Sequence, residues 1–133
     1  MRPVRRPASP EDTPFHRWGG EPFFVALVDR FYAGVETDPL LRHMYPEDLS
    51  GPKAHLALFL AQYWGGPPTF NEQRGQPRLR MRHVQFAIGT AEAEAWLGHM
   101  TDAVRSAGLA PGDETQMLDY MKMAAKSLIN ART

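Results

Sequence analysis

The chain has 133 residues, with 15 Lys+Arg against 15 Asp+Glu and no cysteine. That length fits one domain with a substantial core, and the even charge gives no broad basic field to attract nucleic acid or an anionic membrane. Without cysteine there is no disulfide framework, thiolate metal site or cysteine nucleophile; this fits a reducing compartment, and a cytoplasmic location is expected.

The first fourteen residues hold four prolines and three arginines. They lack the apolar stretch of a signal peptide and read as a flexible tail, with the domain running over 15–133. No apolar run in the chain approaches the ~20 residues of a spanning helix. Helical spacing then dominates. In "PFFVALVDRFYAGV", Phe24, Leu27, Val28, Phe31, Tyr32 and Val35 share one face. Pro22 suits a first helical turn after Gly20. Asp38-Pro39 stops that helix and opens a short one, "PLLRHMY", which Pro46 prevents from continuing. Ser50-Gly51-Pro52 is a start signal for "KAHLALFLAQYW", with Leu56, Phe59, Leu60 and Tyr63 predicted to face inward.

"GGPP" at 65–68 ends that helix, and weak periodicity predicts a loop over 65–76. Pro77 can start one or two turns through His83. A longer helix follows from Thr90, its predicted cap, with Glu92 and Glu94 in the positive first turn. Its inner stripe is Ala93, Trp96, Leu97, Met100, Ala103 and Val104. Asp113 and Gln116 have capping-box spacing and open a last helix whose inward residues are Met117, Leu118, Met121, Ala124, Ala125 and Leu128. No strand alternation and no internal repeat is visible. The fold class is all-α, with four main helices and one or two short ones.

The densest chemistry lies in "PRLRMRHVQF" (77–86). His83 shares a helix face with Leu79, four residues earlier, while Arg78 and Arg82 form an adjacent face. A flat, mostly apolar ligand with acid groups on one edge fits this arrangement. Leu79 would touch its plane, His83 would bind a central metal, and an arginine would hold the acid; haem has that shape. The competing reading is an exposed basic loop with an incidental histidine. Tyr32, Tyr45 and Trp96 are large rings with polar tips, and each alone reads equally as a core aromatic. Among the other histidines, His16 is near the tail and His43 lies in the short helix. His55 falls at the edge of a buried stripe, and His99 reads as exposed. No H-E-x-x-H, phosphate-binding glycine motif or G-x-S-x-G elbow is present.

"RFYAGV", "MYPEDL", "FLAQYWGGPPTF", "EQRGQPRLRMRH" and "EAWLGHM" together resemble the truncated haemoglobins of group II, over about residues 18–130. The resemblance implies a truncated globin, a two-over-two sandwich of helices around one haem b per chain, bound without covalent attachment since no C-x-x-C-H is present. It makes His83 the proximal iron ligand and Tyr32, Tyr45 and Trp96 the distal donors. Leu56, Phe59, Tyr63, Leu79, Phe86 and Met121 are implied to contact the haem, with Arg82 and His55 near its propionates. The corner between Tyr45 and Leu56 is one residue shorter than is usual in the family, so either Gly51 or Pro52 occupies the distal-helix position. If Pro52, it offers no donor. His43 and His55 are the remaining histidines able to approach the iron.

The resemblance further implies binding of O2 and other diatomic ligands. Three donors around one small ligand imply slow release, which suits scavenging or redox work such as nitric oxide or peroxide detoxification. Either activity needs an electron donor, and with no flavin or nicotinamide motif a separate reductase is expected. The rivals are a simple O2 store or carrier and a haem-free helical interaction module. A monomer or homodimer is expected, with neither nucleic acid nor membrane as partner.

Overall fold

The computed structural model describes residues 13–131, and the regular structure among them is entirely helical. The tail expected over 1–14 lies outside the described residues as far as position 12. Thr13 and Pro14 already belong to the fold. Thr13 accepts from the His16 backbone N–H and caps α1 (Pro14–Arg17), with Pro14 in its first turn. The Phe15 amide then donates to the Trp64 carbonyl at 2.9 Å.

Two pairs of long helices make the sandwich. α2 (Glu21–Glu36) packs on α4 (Ser50–Tyr63), and α7 (Thr90–Arg105) packs on α8 (Pro111–Ser127); α2 also packs on α7 and joins the layers. The face of α2 read from its spacing is the one buried, with Phe24, Leu27, Val28, Phe31, Tyr32 and Val35 all in the core. Chain entry to α2 requires a positive φ of 74° at Gly20. α2 can approach α7 closely because residue 34 is glycine: a Cβ there would collide with the His99 ring. His99 is therefore partly buried rather than exposed, and its Nε2–H donates to Asp38 at 2.7 Å. That bond, followed by the Leu40 backbone N–H, holds the Asp38 carboxyl below its usual range. The same Asp38 caps α3 (Pro39–Arg42).

α4 departs from its predicted face. Its buried residues are Ala57, Leu60 and Ala61, while Leu56 and Phe59 are partly buried and Tyr63 is 48% exposed. The helix is apolar on most sides, so spacing alone does not select the face; the small alanines let it lie close to α2. The loop predicted over 65–76 contains a helix, α5 (Thr69–Arg74). It is too short to show a period. What holds it is tertiary: Gln62 clasps Asn71 with two hydrogen bonds, at 3.0 and 3.1 Å, and Phe70 is buried.

α6 (Leu79–Arg82) is one turn long and ends at His83. Gly89, not Thr90, precedes α7, and its N–H is met by the Glu92 carboxylate at 2.8 Å. α8 likewise begins earlier than predicted, at Pro111 after extended Ala110, so the Asp113–Gln116 box does not form. Asp113 sits inside the first turn and takes Arg17 at 3.1 Å instead. No described helix is long and apolar enough to cross a membrane.

Arg78, just before α6, has φ 43° and ψ 54°. A non-glycine residue in this left-handed region costs roughly 1–2 kcal/mol. Glycine would remove that cost but lose more freedom on folding. Arg78→Gly should therefore raise stability by about 0.5–1 kcal/mol net. Chemical denaturation of the two proteins side by side checks this, and a lower midpoint for the variant would mean the Arg78 side chain contributes more than its backbone costs.

Candidate functional site

A cavity of about 330 Å³ lies between the two helix pairs, closed on one side by α5 and α6. Leu56, Phe59 and Leu60 of α4 form one wall, and Tyr120, Met121 and Ala124 of α8 form another with Leu128 just past its end. Leu79, His83 and Phe86 come from the α6 segment; Tyr32, Tyr45 and Trp96 come from α2, the corner after α3, and α7. Of the residues that the resemblance assigns to the iron, its ligand or the haem, all but Tyr63 reach this wall, and His43 does not. Tyr63 is exposed, and Tyr120, which sequence reasoning missed, lines the cavity with its ring against Tyr63. His43 ends α3 in an exposed position. Pro52 lines the cavity and Gly51 does not, and a proline brings no hydrogen-bond donor to that wall.

His83 is aimed by its neighbours. Its Nδ1 lies 2.6 Å from the Leu79 carbonyl oxygen. A carbonyl only accepts, so in the neutral ring the proton sits on Nδ1 and the lone pair on Nε2. A carbonyl that accepts from one ring nitrogen in this way fixes the tautomer and the orientation of an imidazole and leaves the other nitrogen free to bind a metal. The segment behind it is fastened to the C-terminus. Asn130 donates from its side chain to the His83 carbonyl at 3.2 Å and accepts from the Ile88 N–H at 2.8 Å. Arg80 reaches the Ser127 carbonyl at 2.7 Å.

Three polar rings line the same cavity. Tyr32 and Tyr45 meet edge to face, with centroids 5.4 Å apart, and Trp96 packs on Phe31 at 5.5 Å. Among the described residues, no hydrogen bond engages either hydroxyl or the Trp96 indole N–H. Burial raises both phenol pKa values, that of Tyr45 to about 12 and that of Tyr32 further, with Tyr45 adding to the effect. Both therefore keep their protons and remain donors. Arg42 holds the corner that delivers Tyr45: its guanidinium donates to the carbonyls of Tyr45, Pro46 and Glu47 at 3.2, 3.0 and 3.0 Å.

One edge of the cavity is cationic. Arg74 and Arg82 both lie over the Phe70 ring, 6.0 and 5.6 Å from its centroid. Arg82 donates to the carbonyls of Pro77 and Arg74 at 2.6 and 2.8 Å, which shapes the loop leading to α6. Arg74, absent from the sequence reading, donates to His55 Nε2 at 3.1 Å. Desolvation first, then the charges of Arg74 and Arg82, lower the His55 pKa.

A helical sandwich, an apolar slot, one aimed imidazole and three donors lining the same slot are the parts of a globin. The bacterial-like globin family matches residues 13–130. The chain belongs to that family, among the group II truncated haemoglobins. Group 2 truncated hemoglobin YjbI of Bacillus subtilis is 38% identical over 111 residues, covering 84% of each chain. The crystal structure of the hemoglobin of Chloroflexus aurantiacus is 49% identical, with a TM-score of 0.87, over 90% of this chain and 99% of that one. A truncated oxygen-avid haemoglobin from Bacillus subtilis is 36% identical, with a TM-score of 0.84, over 90% and 100%.

The cofactor of this truncated haemoglobin is haem, and its residues fit that group. The slot is apolar, His83 presents a free Nε2, and the Arg74/Arg82/His55 edge suits two carboxylates. When bound, haem would supply an iron able to take a diatomic ligand, with His83 the side chain placed to hold it and Arg74, Arg82 and His55 placed near its acid groups.

Proposed function

We propose that this truncated haemoglobin holds O2 tightly and releases it slowly, and works in scavenging or redox detoxification of nitric oxide or peroxide rather than in delivery. The assignments of His83 as axial ligand and of Tyr32, Tyr45 and Trp96 as distal donors belong to this reading. The observation that carries it is the convergence of three unengaged donors on one cavity. Bound O2 is partly anionic, and hydrogen bonds to charged partners are worth about 1.5–3 kcal/mol each. The similarity to a haemoglobin described as oxygen-avid points the same way. Any turnover draws electrons from a separate reductase, in the cytoplasm.

Stopped-flow O2 release and autoxidation of the ferrous protein test this. Release should be at least tenfold slower than from the Tyr32→Phe/Trp96→Phe double variant. Equal rates would return the protein to simple storage or carriage, and a chain that takes up no haem would be an interaction module.

A further inference from the structure

The segment that carries His83 also makes a second hollow, on the outside of the molecule. Arg80, Met81 and Val84 line a surface groove of about 280 Å³ together with Leu128 and Asn130. Its apolar residues are open to solvent. Met81 is 57% exposed and Val84 74%, more than any other large apolar side chain among the described residues. The groove backs directly onto the cavity. Leu128 lines both, and Asn130 donates to the His83 carbonyl at 3.2 Å. One side chain separates this surface from the cavity, and one hydrogen bond links it to the backbone of His83.

The surroundings of the groove are cationic. Residues 73–91 contain four arginines and no acid, and residues 122–130 contain two lysines and no acid, in a chain of zero formal net charge. The groove is built from these two stretches. Among the described residues, Arg78, Arg80 and Lys126 have no acidic partner. Arg80 donates to the Ser127 carbonyl at 2.7 Å, which holds its guanidinium without cancelling the charge. Arg74 and Arg82 differ, because they lie at the cavity edge, where the acid groups of haem would balance them.

We propose that this groove is the docking surface for an acidic electron-transfer protein that reduces the haem. This rests on the redox reading above, which calls for an external electron donor. The partner's reduced centre gives up one electron and is oxidised by one unit. That electron takes the iron from ferric to ferrous, with no bond broken and no proton moved. Electron-transfer contacts are small, so two exposed apolar side chains among cations suffice. Complementary charge then sets the rate of encounter. A second copy of the chain fits less well, since a two-fold contact would set Arg78, Arg80 and Lys126 against their own counterparts. An anionic membrane would meet the cations but gives no reason for the groove to back onto the cavity.

The test mixes the ferric, haem-loaded full chain anaerobically with a reduced plant-type [2Fe–2S] ferredoxin, an acidic low-potential donor. Carbon monoxide is present to mark the ferrous form. The reduction rate should fall at least tenfold as salt rises from about 20 to 200 mM. Arg78→Asp, a residue type that tolerates the left-handed backbone there, should slow reduction at least tenfold at low salt. Arg105→Glu makes the same change of charge at the end of α7 and should slow it less than threefold. Dithionite, too small to need a docking surface, should reduce all three proteins at rates within threefold. A readout independent of turnover is the titration of the carbon monoxide complex with oxidised ferredoxin. Backbone amide resonances of residues 78–87 and 127–130 should shift. Shifts centred on His55 and Arg74 instead, or rates indifferent to salt and to Arg78→Asp, would overturn the docking surface. So would binding to phosphatidylglycerol vesicles that Arg78→Asp abolishes, with no response to ferredoxin. Salt- and Arg78-dependent reduction of a protein that consumes neither nitric oxide nor peroxide would uphold the surface and overturn the redox reading alone.

Discussion

His83→Ala abolishes tight haem binding, or leaves a protein whose haem spectrum returns when imidazole is added. Loss of an outer partner of a metal ligand typically costs 10–100-fold in affinity, so loss of the ligand itself should exceed about a hundredfold. No other histidine is placed to substitute. His43 is exposed at the end of α3, away from the cavity. His55 sits at the cationic edge with its Nε2 already accepting from Arg74. Rescue by imidazole follows from the local packing. The ring lies between the Leu79 carbonyl and the Phe86 ring, whose centroid is 6.4 Å away. Removing it leaves a slot of its own shape with a carbonyl ready to accept the N–H of an added imidazole. Titration with hemin, followed by absorbance, measures both effects. Wild-type affinity with an unchanged spectrum would mean that another side chain binds the iron.

His83 could be picked out from sequence because its chemistry is local. The imidazole, Leu79 four residues before it, and the arginines around them all lie within one short stretch. The face of α2 was legible for a related reason: six large apolar residues on one stripe leave a helix one way to bury them. α4 lacks that contrast. With apolar residues on most sides, spacing does not select its buried face, which holds Ala57, Leu60 and Ala61 and leaves Tyr63 exposed, while Tyr120 of α8 lines the cavity. α5 was invisible because its stability comes from the Gln62–Asn71 clasp and the burial of Phe70, neither of which has a period. Arg74 and Arg42 were missed in the same way. Each acts on groups that only the folded corner brings near, His55 in one case and three successive carbonyls in the other. The tertiary terms that sequence patterns miss are thus the ones that shape the edges of this cavity. The patterns pick out residues of its wall, among them Leu79, His83, Tyr32, Tyr45 and Trp96.

Trp96→Phe should accelerate O2 release at least threefold. The ring is held on α7 against Phe31 and faces the cavity, and phenylalanine preserves most of that packing while removing the N–H. An indole N–H can only donate. In a low-dielectric pocket its bond to a partly anionic ligand is worth about 1.5–3 kcal/mol. Losing the lower figure alone corresponds to roughly a tenfold faster release, since about 1.4 kcal/mol is one decade. Tyr32 and Tyr45 reduce the effect. Burial keeps both protonated, and donors sharing one acceptor are not additive. Threefold is what remains if they recover about half of the loss, as a free energy. Bound carbon monoxide is much less polar and gains little from any of the three donors, so its release should change less than that of O2. Stopped-flow replacement of each gas separates the alternatives. If both gases leave faster by the same factor, Trp96 acts by packing or by gating the exit. If neither rate changes, the indole is a core ring whose N–H contributes nothing to the ligand, and Tyr32 and Tyr45 carry the stabilisation between them.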